Sequence, residues 1–218
     1  MNIRAALFDM DGTLVDSLMY WDLLWKKLGT MYLGDPTFVP NEQDDRAVRT
    51  LPLADAMALI HENYHFGESA AEVHTVAKNA IVDLYNGVEA KAGAIEFLEY
   101  LVARGVKVAL ATATDPRLVE IALRRCGLAK YFPTVFSCSE IGRGKEFPDV
   151  FLLAADHLGE PIDATWVFED SLVAVETAAR AGFPTVGIYD RYNDYGDRLQ
   201  KAATLYIGEG ETLLKLMD

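Results

Sequence analysis

The chain has little of what secreted, disulfide-stapled or zinc-binding domains need. Only two of its 218 residues are cysteines, Cys126 and Cys138, and they stand in neither a Cys-x-x-Cys nor a mixed Cys/His spacing. The sequence therefore gives no sign of a disulfide scaffold or of a structural zinc site. No apolar segment behind basic residues marks a secretion signal near the first residue, so we expect a cytoplasmic protein.

Positive charge and long apolar runs are also scarce. The chain has 20 lysines and arginines against 33 acidic residues, which gives a formal net charge of −13. This charge disfavours binding to phosphate backbones, so we expect no nucleic-acid partner. The apolar runs have the length of buried strands, so we expect no membrane partner either. An anionic substrate would need a local cation to overcome this negative field.

Short apolar runs alternate with helix-period stretches over most of the chain. Strands that read as continuous apolar runs are typical of a parallel sheet covered by helices on both faces. We therefore predict an α/β fold with three layers. The predicted strands are Ile3–Phe8, Val106–Ala111, Thr134–Phe136, Thr165–Phe168, Thr185–Ile188 and Thr204–Ile207, and the helices between them include Gly93–Ala103, Pro116–Cys126, Val150–Leu158 and Leu172–Ala181.

The alternation is interrupted between about Ser17 and Val88, where one helical pattern follows another. A chain of this length can hold one large domain with a substantial insertion. We interpret residues 17–87 as an inserted all-helical domain, and residues 1–16 with 88–218 as the α/β core. Ser17 is expected to shape the hinge between them. The predicted helices of the insertion are Leu18–Leu33, Glu42–Arg49, Leu53–Tyr64 and Ser69–Leu84.

Two aspartates, Asp9 and Asp11, follow the first predicted strand at a glycine turn. Carboxylates held so close repel each other unless they share a proton or a cation. Ligands of open parallel sheets bind at the carboxyl ends of the strands, so other polar residues there are candidates for the same site. These are Thr112, Glu169 and Asp170 after later strands, and Lys145 ahead of a helix.

These residues, in this order, resemble the four motifs of the haloacid dehalogenase superfamily, and the resemblance covers nearly the whole chain. It implies a Rossmann-like core that carries a helical cap of the first type. Glu146 departs from the third motif, where proline is common. The motifs are Asp9-Met10-Asp11-Gly12-Thr13, then Thr112, then Lys145 ahead of Phe147-Pro148-Asp149, and finally Glu169-Asp170-Ser171.

The resemblance implies catalytic roles for the motif residues. Asp9 would be the nucleophile that forms an aspartyl phosphate. Asp11 would protonate the leaving group and then take a proton from the attacking water. Thr112 and the backbone that follows it at Ala113 would bind the phosphate. Lys145 would keep Asp9 ionised and balance the charge of the transferred group.

The resemblance also implies a metal cofactor, and Mg²⁺ is the expected ion because it prefers carboxylates, water and phosphate oxygens. Its expected ligands are the Asp9 carboxylate, the main-chain carbonyl of Asp11 and the Asp170 side chain. Glu169 would either coordinate the ion or lie just beyond its ligands.

We expect a Mg²⁺-dependent phosphatase that acts on a small phosphate monoester, with sugar phosphates ahead of nucleoside monophosphates and phosphoglycolate. A β-phosphoglucomutase-type mutase is the alternative, because it uses the same core. Those mutases carry a histidine on the first cap helix, where this chain has Trp21 and, nearby, Trp25. Arg49 stands in place of their Lys-Gly loop. These three are candidate substrate contacts, although packing in the cap core is an alternative role for both tryptophans.

Two further classes fit the sequence less well. A haloacid dehalogenase needs neither a second acid nor a metal, so Asp11 and the Glu169-Asp170 pair argue against that reaction. Receiver domains also combine acidic residues, a threonine and a lysine, but they are compact and lack a helical insertion. We therefore expect a small-molecule phosphate ester as the partner and favour a monomer.

Overall fold

The computed structural model describes residues 3–48, 51, 53–193 and 195–217, which form two compact units. One unit contains Met1–Leu18 and Val88–Asp218, and the other contains Met19–Gly87. The first is an α/β unit built on a parallel sheet with helices around it, and the second is all helical. The predicted α/β fold class is therefore confirmed.

The strands and helices of the α/β unit begin and end within two residues of the predicted ones. Two short helices, Cys138–Ile141 and Gly196–Ala202, and two 3₁₀ turns were not predicted, because elements this short show too few turns for a helical period to be visible. The strands are β1 (Ala5–Phe8), β2 (Lys107–Thr112), β3 (Val135–Ser137), β4 (Thr165–Glu169), β5 (Thr185–Ile188) and β6 (Leu205–Ile207). The helices are α5 (Ala94–Ala103), α6 (Pro116–Arg125), α7 (Cys138–Ile141), α8 (Asp149–Leu158), α9 (Leu172–Arg180) and α10 (Gly196–Ala202), and the 3₁₀ turns are Ile162–Ala164 and Leu213–Leu216.

The six strands form one sheet in the order β3-β2-β1-β4-β5-β6, and every neighbouring pair is parallel. Phe8, the last residue of β1, pairs with Leu110 of β2 on one side and Phe168 of β4 on the other. The strand order reverses beside β1, and a crevice forms at such a point at the carboxyl ends of the strands. The topology therefore brings the residues that follow β1, β2 and β4 to one edge of the sheet.

Both faces of the sheet are buried, which explains why the strands read as continuous apolar runs. All four residues of β1 are buried. Because side chains alternate along a strand, Leu7 packs on one face in a cluster that includes Phe151, whereas Phe8 packs on the other. There the ring of Phe8 stacks on Phe168 with 4.4 Å between centroids and meets the edge of Phe97 at 6.3 Å.

The helical unit has its own hydrophobic core. Its helices are α1 (Tyr20–Leu33), α2 (Glu42–Val48), α3 (Leu53–Tyr64) and α4 (Ala70–Tyr85). Ser69 begins α4 by accepting a hydrogen bond from the Glu72 backbone N–H, as an N-cap residue does. Trp25 is buried among residues of this unit, and its indole N–H donates to Asp45 Oδ1 at 2.8 Å. Among the residues that the structure describes, no helix is both long and apolar enough to cross a bilayer.

The packing on α5 predicts a large difference between two substitutions on the same helix. Phe97→Ala should lower the free energy of unfolding by about 3 to 5 kcal/mol, because it leaves a cavity beside the stacked Phe8 and Phe168 rings. Val102→Ala is the matched control: Val102 is 48% exposed, and its truncation should change stability by less than about 0.5 kcal/mol. Urea denaturation measures both values, and similar losses would contradict this description of the core.

Candidate active site

Three buried carboxylates meet at the carboxyl ends of β1 and β4. Asp9 follows β1, Glu169 ends β4 and Asp170 comes directly after it. Each offers a carboxylate oxygen, and these oxygens lie within 4.8 Å of one another. All three side chains are buried, so their mutual repulsion is poorly screened by water. Such a cluster needs nearby positive charge.

Lys145 supplies a positive charge directly. Its Nζ donates to Asp9 Oδ1 and to Glu169 Oε1, the latter at 2.5 Å. The lysine lies in the loop between α7 and α8, and the loop starts at Gly142, which has a left-handed φ of 79°. The carbonyl of Glu146 accepts a hydrogen bond from the Thr177 hydroxyl at 3.4 Å. Glu146, which stands where the third motif commonly has proline, is therefore compatible with a loop that brings Lys145 to the carboxylates.

The pKa values in the cluster reflect an excess of negative charge. Burial raises the pKa of Asp9 well above its usual range; Lys145 opposes this shift, and Glu169 and Asp170 add to it. Burial also raises the pKa of Asp170 to about 7, with a further contribution from Glu169. Burial alone would lower the pKa of Lys145, but the carboxylates of Asp9 and Glu169 outweigh it and raise that pKa above its usual value. One ammonium group is thus surrounded by more negative charge than it can balance.

The cluster fits a hard divalent cation. Its donors are all carboxylate oxygens, which Mg²⁺ and Ca²⁺ prefer. The Asp170 carboxylate is held in place, because Asn193 Nδ2 donates to its Oδ2 at 2.8 Å. Gly12 lets the loop that follows β1 pass close to Asp170. It has a φ of +78°, and a Cβ at this position would lie 2.6 Å from Asp170 Oδ2. A larger residue at position 12 would displace a carboxylate of the cluster.

The side chain of Asp11 is directed to a different set of partners. Its Oδ1 accepts a hydrogen bond from the Ser17 hydroxyl, and its Oδ2 accepts one from the Thr114 hydroxyl, both at 2.5 Å. The carboxylate of Asp11 is therefore fixed by two hydroxyl groups from different segments. Its contacts differ from those of Asp9, although only Met10 separates the two residues in the chain.

Thr112 and Ala113 lie where β2 ends, at the same edge of the sheet as Asp9. Thr112 is fully buried, and its Oγ1 accepts the backbone N–H of Thr114 at 3.1 Å. Ala113 is exposed at the rim. Both residues therefore lie at the edge of the sheet that carries the carboxylates, and Thr112 fixes the backbone that follows it through this hydrogen bond.

Three residues of this region have contacts that the sequence analysis did not anticipate. Asn193 contacts Asp170, and it comes from the loop after β5, 23 residues away in the chain and outside any motif. Thr114 contacts Asp11, and the only available signal was its place two residues after Thr112. Ser17, expected to shape the hinge, also donates to Asp11.

The candidate contacts of the cap differ in how they are placed. Trp25 is 1% exposed and belongs to the core of the helical unit, which agrees with a packing role. Trp21 is only partly buried, and its ring lies 5.5 Å from that of Trp25. Arg49 lies outside the described residues.

Comparison with known proteins supports the family that the four motifs indicate. The profile of the haloacid dehalogenase-like hydrolases matches residues 3–182. A phosphorylated carbohydrates phosphatase of Thermotoga maritima is 28% identical, over 99% of this chain and 98% of that protein. A phosphoglycolate phosphatase of Salmonella typhimurium is also 28% identical, over 91% of this chain and 85% of that one. The crystal structure of a candidate beta-phosphoglucomutase from Thermotoga maritima has a TM-score of 0.79 at 28% identity, and the match covers 99% of this chain and 98% of that one.

The raised pKa of Asp170 predicts a pH-dependent effect of Mg²⁺ on stability. Without metal, the folded protein keeps a proton on Asp170 up to about pH 7, whereas the unfolded chain loses it near 3.8. Stability of the metal-free protein therefore falls as pH rises through that interval, and a cation on the ionised carboxylates offsets the loss. The Mg²⁺-induced rise in Tm should be several degrees larger at about pH 7.5 than at about pH 5.5.

Calorimetry with Mg²⁺ or with a chelator measures this difference. Asp163→Asn is the control, because Asp163 is an exposed aspartate in the 3₁₀ turn before β4, and this variant should show the same pH dependence of the Mg²⁺ effect as the unaltered protein. An equal rise in Tm at both pH values for the unaltered protein would contradict the charge distribution described above.

Proposed function

The chain belongs to the haloacid dehalogenase-like hydrolase family, and we propose that it is a Mg²⁺-dependent phosphatase of small phosphate monoesters, with sugar phosphates as the preferred class. The observation that carries the proposal is the buried group of Asp9, Glu169 and Asp170 in contact with Lys145. Phosphoryl transfer needs a placed nucleophile and positive charge around the transferred group, and this arrangement can supply both.

The phosphate would bind at the edge where β1 and β2 end. The Thr112 hydroxyl and the backbone at Ala113 would donate hydrogen bonds to its oxygens, and the Lys145 ammonium would offset part of its charge. These groups are held by the sheet and by the α7–α8 loop. The donors would therefore need little rearrangement when charge shifts in the transition state.

Asp9 and Asp11 would divide the chemistry between them. A carboxylate oxygen of Asp9 forms a bond to phosphorus as the bond to the leaving oxygen breaks, which yields an aspartyl phosphate. Asp11 delivers a proton to that leaving oxygen and becomes the base that takes a proton from the incoming water. Water then attacks phosphorus, the bond to Asp9 breaks and inorganic phosphate leaves. The two hydroxyls that hold Asp11 keep its carboxylate away from the metal ligands.

Mg²⁺ would be held by the Asp9 and Asp170 carboxylates and the Asp11 carbonyl, with Glu169 as a ligand or just beyond. When bound, it offsets the negative charge of the carboxylates and of the phosphate. Lys145 lowers the pKa of Asp9, although burial keeps that pKa raised, so the lysine and the bound cation together would favour the ionised nucleophile.

We assign the helical unit the role of the cap that selects the substrate. Trp21 remains a candidate substrate contact because it is only partly buried, and Arg49 remains one from its place in the sequence. The name of the Thermotoga maritima phosphatase, which refers to phosphorylated carbohydrates, supports sugar phosphates as the first substrates to test.

A β-phosphoglucomutase-type mutase is the second candidate, and the similarity to the crystal structure from Thermotoga maritima favours it. In such an enzyme a sugar hydroxyl, rather than water, accepts the phosphoryl group from the aspartate. Asp11 could serve either acceptor, since both must lose a proton. The two reactions therefore differ in their product and not in the chemistry of the core.

Asp9→Asn should lower phosphatase activity by about 1000-fold or more, because an amide is a poor nucleophile and a poor ligand for Mg²⁺. Asp163→Asn is the matched control, since Asp163 is an exposed aspartate in the 3₁₀ turn before β4, at the other end of that strand. Release of inorganic phosphate with Mg²⁺ present measures both variants. Full activity of Asp9→Asn would contradict the mechanism.

A screen of phosphate esters tests the reaction class. We expect sugar phosphates to give the highest kcat/KM and phosphate release to require Mg²⁺. β-Glucose 1-phosphate should be included and scored for glucose 6-phosphate as well as for free phosphate, with and without a bisphosphate activator. Release of phosphate without isomerisation supports the phosphatase, and isomerisation would instead establish the mutase.

A further inference from the structure

A chain of polar contacts connects Asp170 with a buried ion pair that the proposed reaction does not use. The side-chain amide of Asn193 donates to Asp170 Oδ2 at 2.8 Å and to the Asp170 carbonyl at 3.3 Å. The Thr13 hydroxyl also approaches this carboxylate, but at 3.5 Å from Oδ1 its hydrogen bond is long and weak. Asn193 thus makes the shorter of these two contacts with the Asp170 carboxylate.

Asn193 is presented by a turn that Asp190 organises. The backbone N–H of Asn193 donates to the Asp190 carbonyl at 3.1 Å, and the backbone N–H of Tyr192 donates to Asp190 Oδ1 at 3.0 Å. An aspartate that accepts the N–H two residues on forms an Asx turn, which fixes the local backbone. The direction of the Asn193 side chain therefore depends on the position of Asp190.

Lys91 holds Asp190 from the opposite side. Its Nζ lies 2.5 Å from Asp190 Oδ2, with side-chain exposures of 20% for Lys91 and 3% for Asp190. The backbone N–H of Lys91 donates to the Leu14 carbonyl at 2.9 Å, in the loop that also carries Asp11. Because the pair is largely removed from water, it fixes the Asp190 turn against that loop more firmly than an exposed pair would.

We propose that Lys91 and Asp190, acting through Asn193, position the Asp170 carboxylate for a divalent cation. This inference rests on the proposed function, because Asp170 is a metal ligand only in that scheme. Groups that hydrogen-bond to metal ligands set the ligand orientation, and their loss typically weakens metal affinity by about 10-fold to 100-fold. Lys91, Asp190 and Asn193 are thus positioning residues that need not touch the substrate.

The effect of Lys91 on affinity has a sign that separates positioning from simple electrostatics. At about pH 8.5, well above the pKa of about 7 that Asp170 has without metal, protons compete little for this carboxylate. The positive charge of Lys91 opposes a cation at Asp170, so if charge alone mattered, its removal would strengthen Mg²⁺ binding at this pH. If Lys91 acts by positioning, its removal frees the Asp190 turn and Asn193, and Mg²⁺ binding becomes weaker. The direction of the change in Mg²⁺ affinity therefore distinguishes positioning from electrostatics without any measurement of activity.

The experiment is titration calorimetry of Mg²⁺, at about pH 8.5, into the metal-free protein and its variants. Lys91→Met and Asn193→Ala should each raise the Kd for Mg²⁺ by about 10-fold. Lys91→Arg keeps a positive charge beside Asp190, so this variant should retain most of the wild-type affinity. Lys107→Met is the matched control. Lys107 pairs with Glu160 at 2.7 Å where β2 begins, at the opposite end of the sheet, so its loss should leave the Kd unchanged.

The outcomes distinguish this inference from the proposed function. Wild-type protein that does not bind Mg²⁺ would contradict the proposed function itself. Wild-type protein that binds Mg²⁺, with Lys91→Met and Asn193→Ala binding as tightly or more tightly, would overturn only the positioning role. If Lys91→Met fails to fold because Asp190 is left buried and unpaired, Asn193→Ala decides the question, since it leaves no charge unpaired.

Discussion

The repulsion among three buried carboxylates is the constraint to which the rest of the α/β unit is adapted. Asp9, Glu169 and Asp170 bring their oxygens within 4.8 Å of one another in a site where water screens charge poorly. Lys145 contacts two of the three, yet burial and neighbouring charge still leave the pKa of Asp170 at about 7. The protein thus holds the carboxylates in an arrangement that a divalent cation would stabilise. Without a cation, favourable interactions elsewhere in the fold must offset the repulsion between them.

Apolar packing in the sheet provides the interactions that offset this repulsion. β1 is buried on both faces, and Phe8 stacks on Phe168 one residue before each strand reaches its acidic end. Apolar packing in register along β1 and β4 therefore forces Asp9 and Glu169 to lie side by side, although their charges repel each other. Packing of this kind explains how a folded chain can keep like charges close, because separating them would also disrupt the core.

The parts of the structure that could be predicted from the sequence are those with a regular period or a local motif. The strands, the long helices and the residues at the strand ends follow from apolar periodicity and from the rule that parallel strands share a carboxyl edge. Asn193 could not be found this way, because its contact with Asp170 joins residues 23 positions apart through a turn with no period. Trp25 had two predicted roles, a substrate contact from the resemblance to the mutases and packing in the cap core, and its burial and its hydrogen bond to Asp45 in the folded helical unit agree with the second.

The contrast between Asp9 and Asp11 shows how two identical side chains can acquire different chemistry. Asp9 contacts Lys145 and lies in the cluster with Glu169 and Asp170, whereas both oxygens of Asp11 are engaged by hydroxyls from Ser17 and Thr114. In the proposed mechanism, a carboxylate among hydroxyls would exchange a proton without disturbing a cation. A carboxylate beside an ammonium and a cation would be ionised and able to attack phosphorus, although burial raises its pKa. In the proposed mechanism this division would serve water and a sugar hydroxyl alike, so the choice of phosphoryl acceptor would depend on groups outside the α/β core, and for this reason we assign substrate selection to the helical unit.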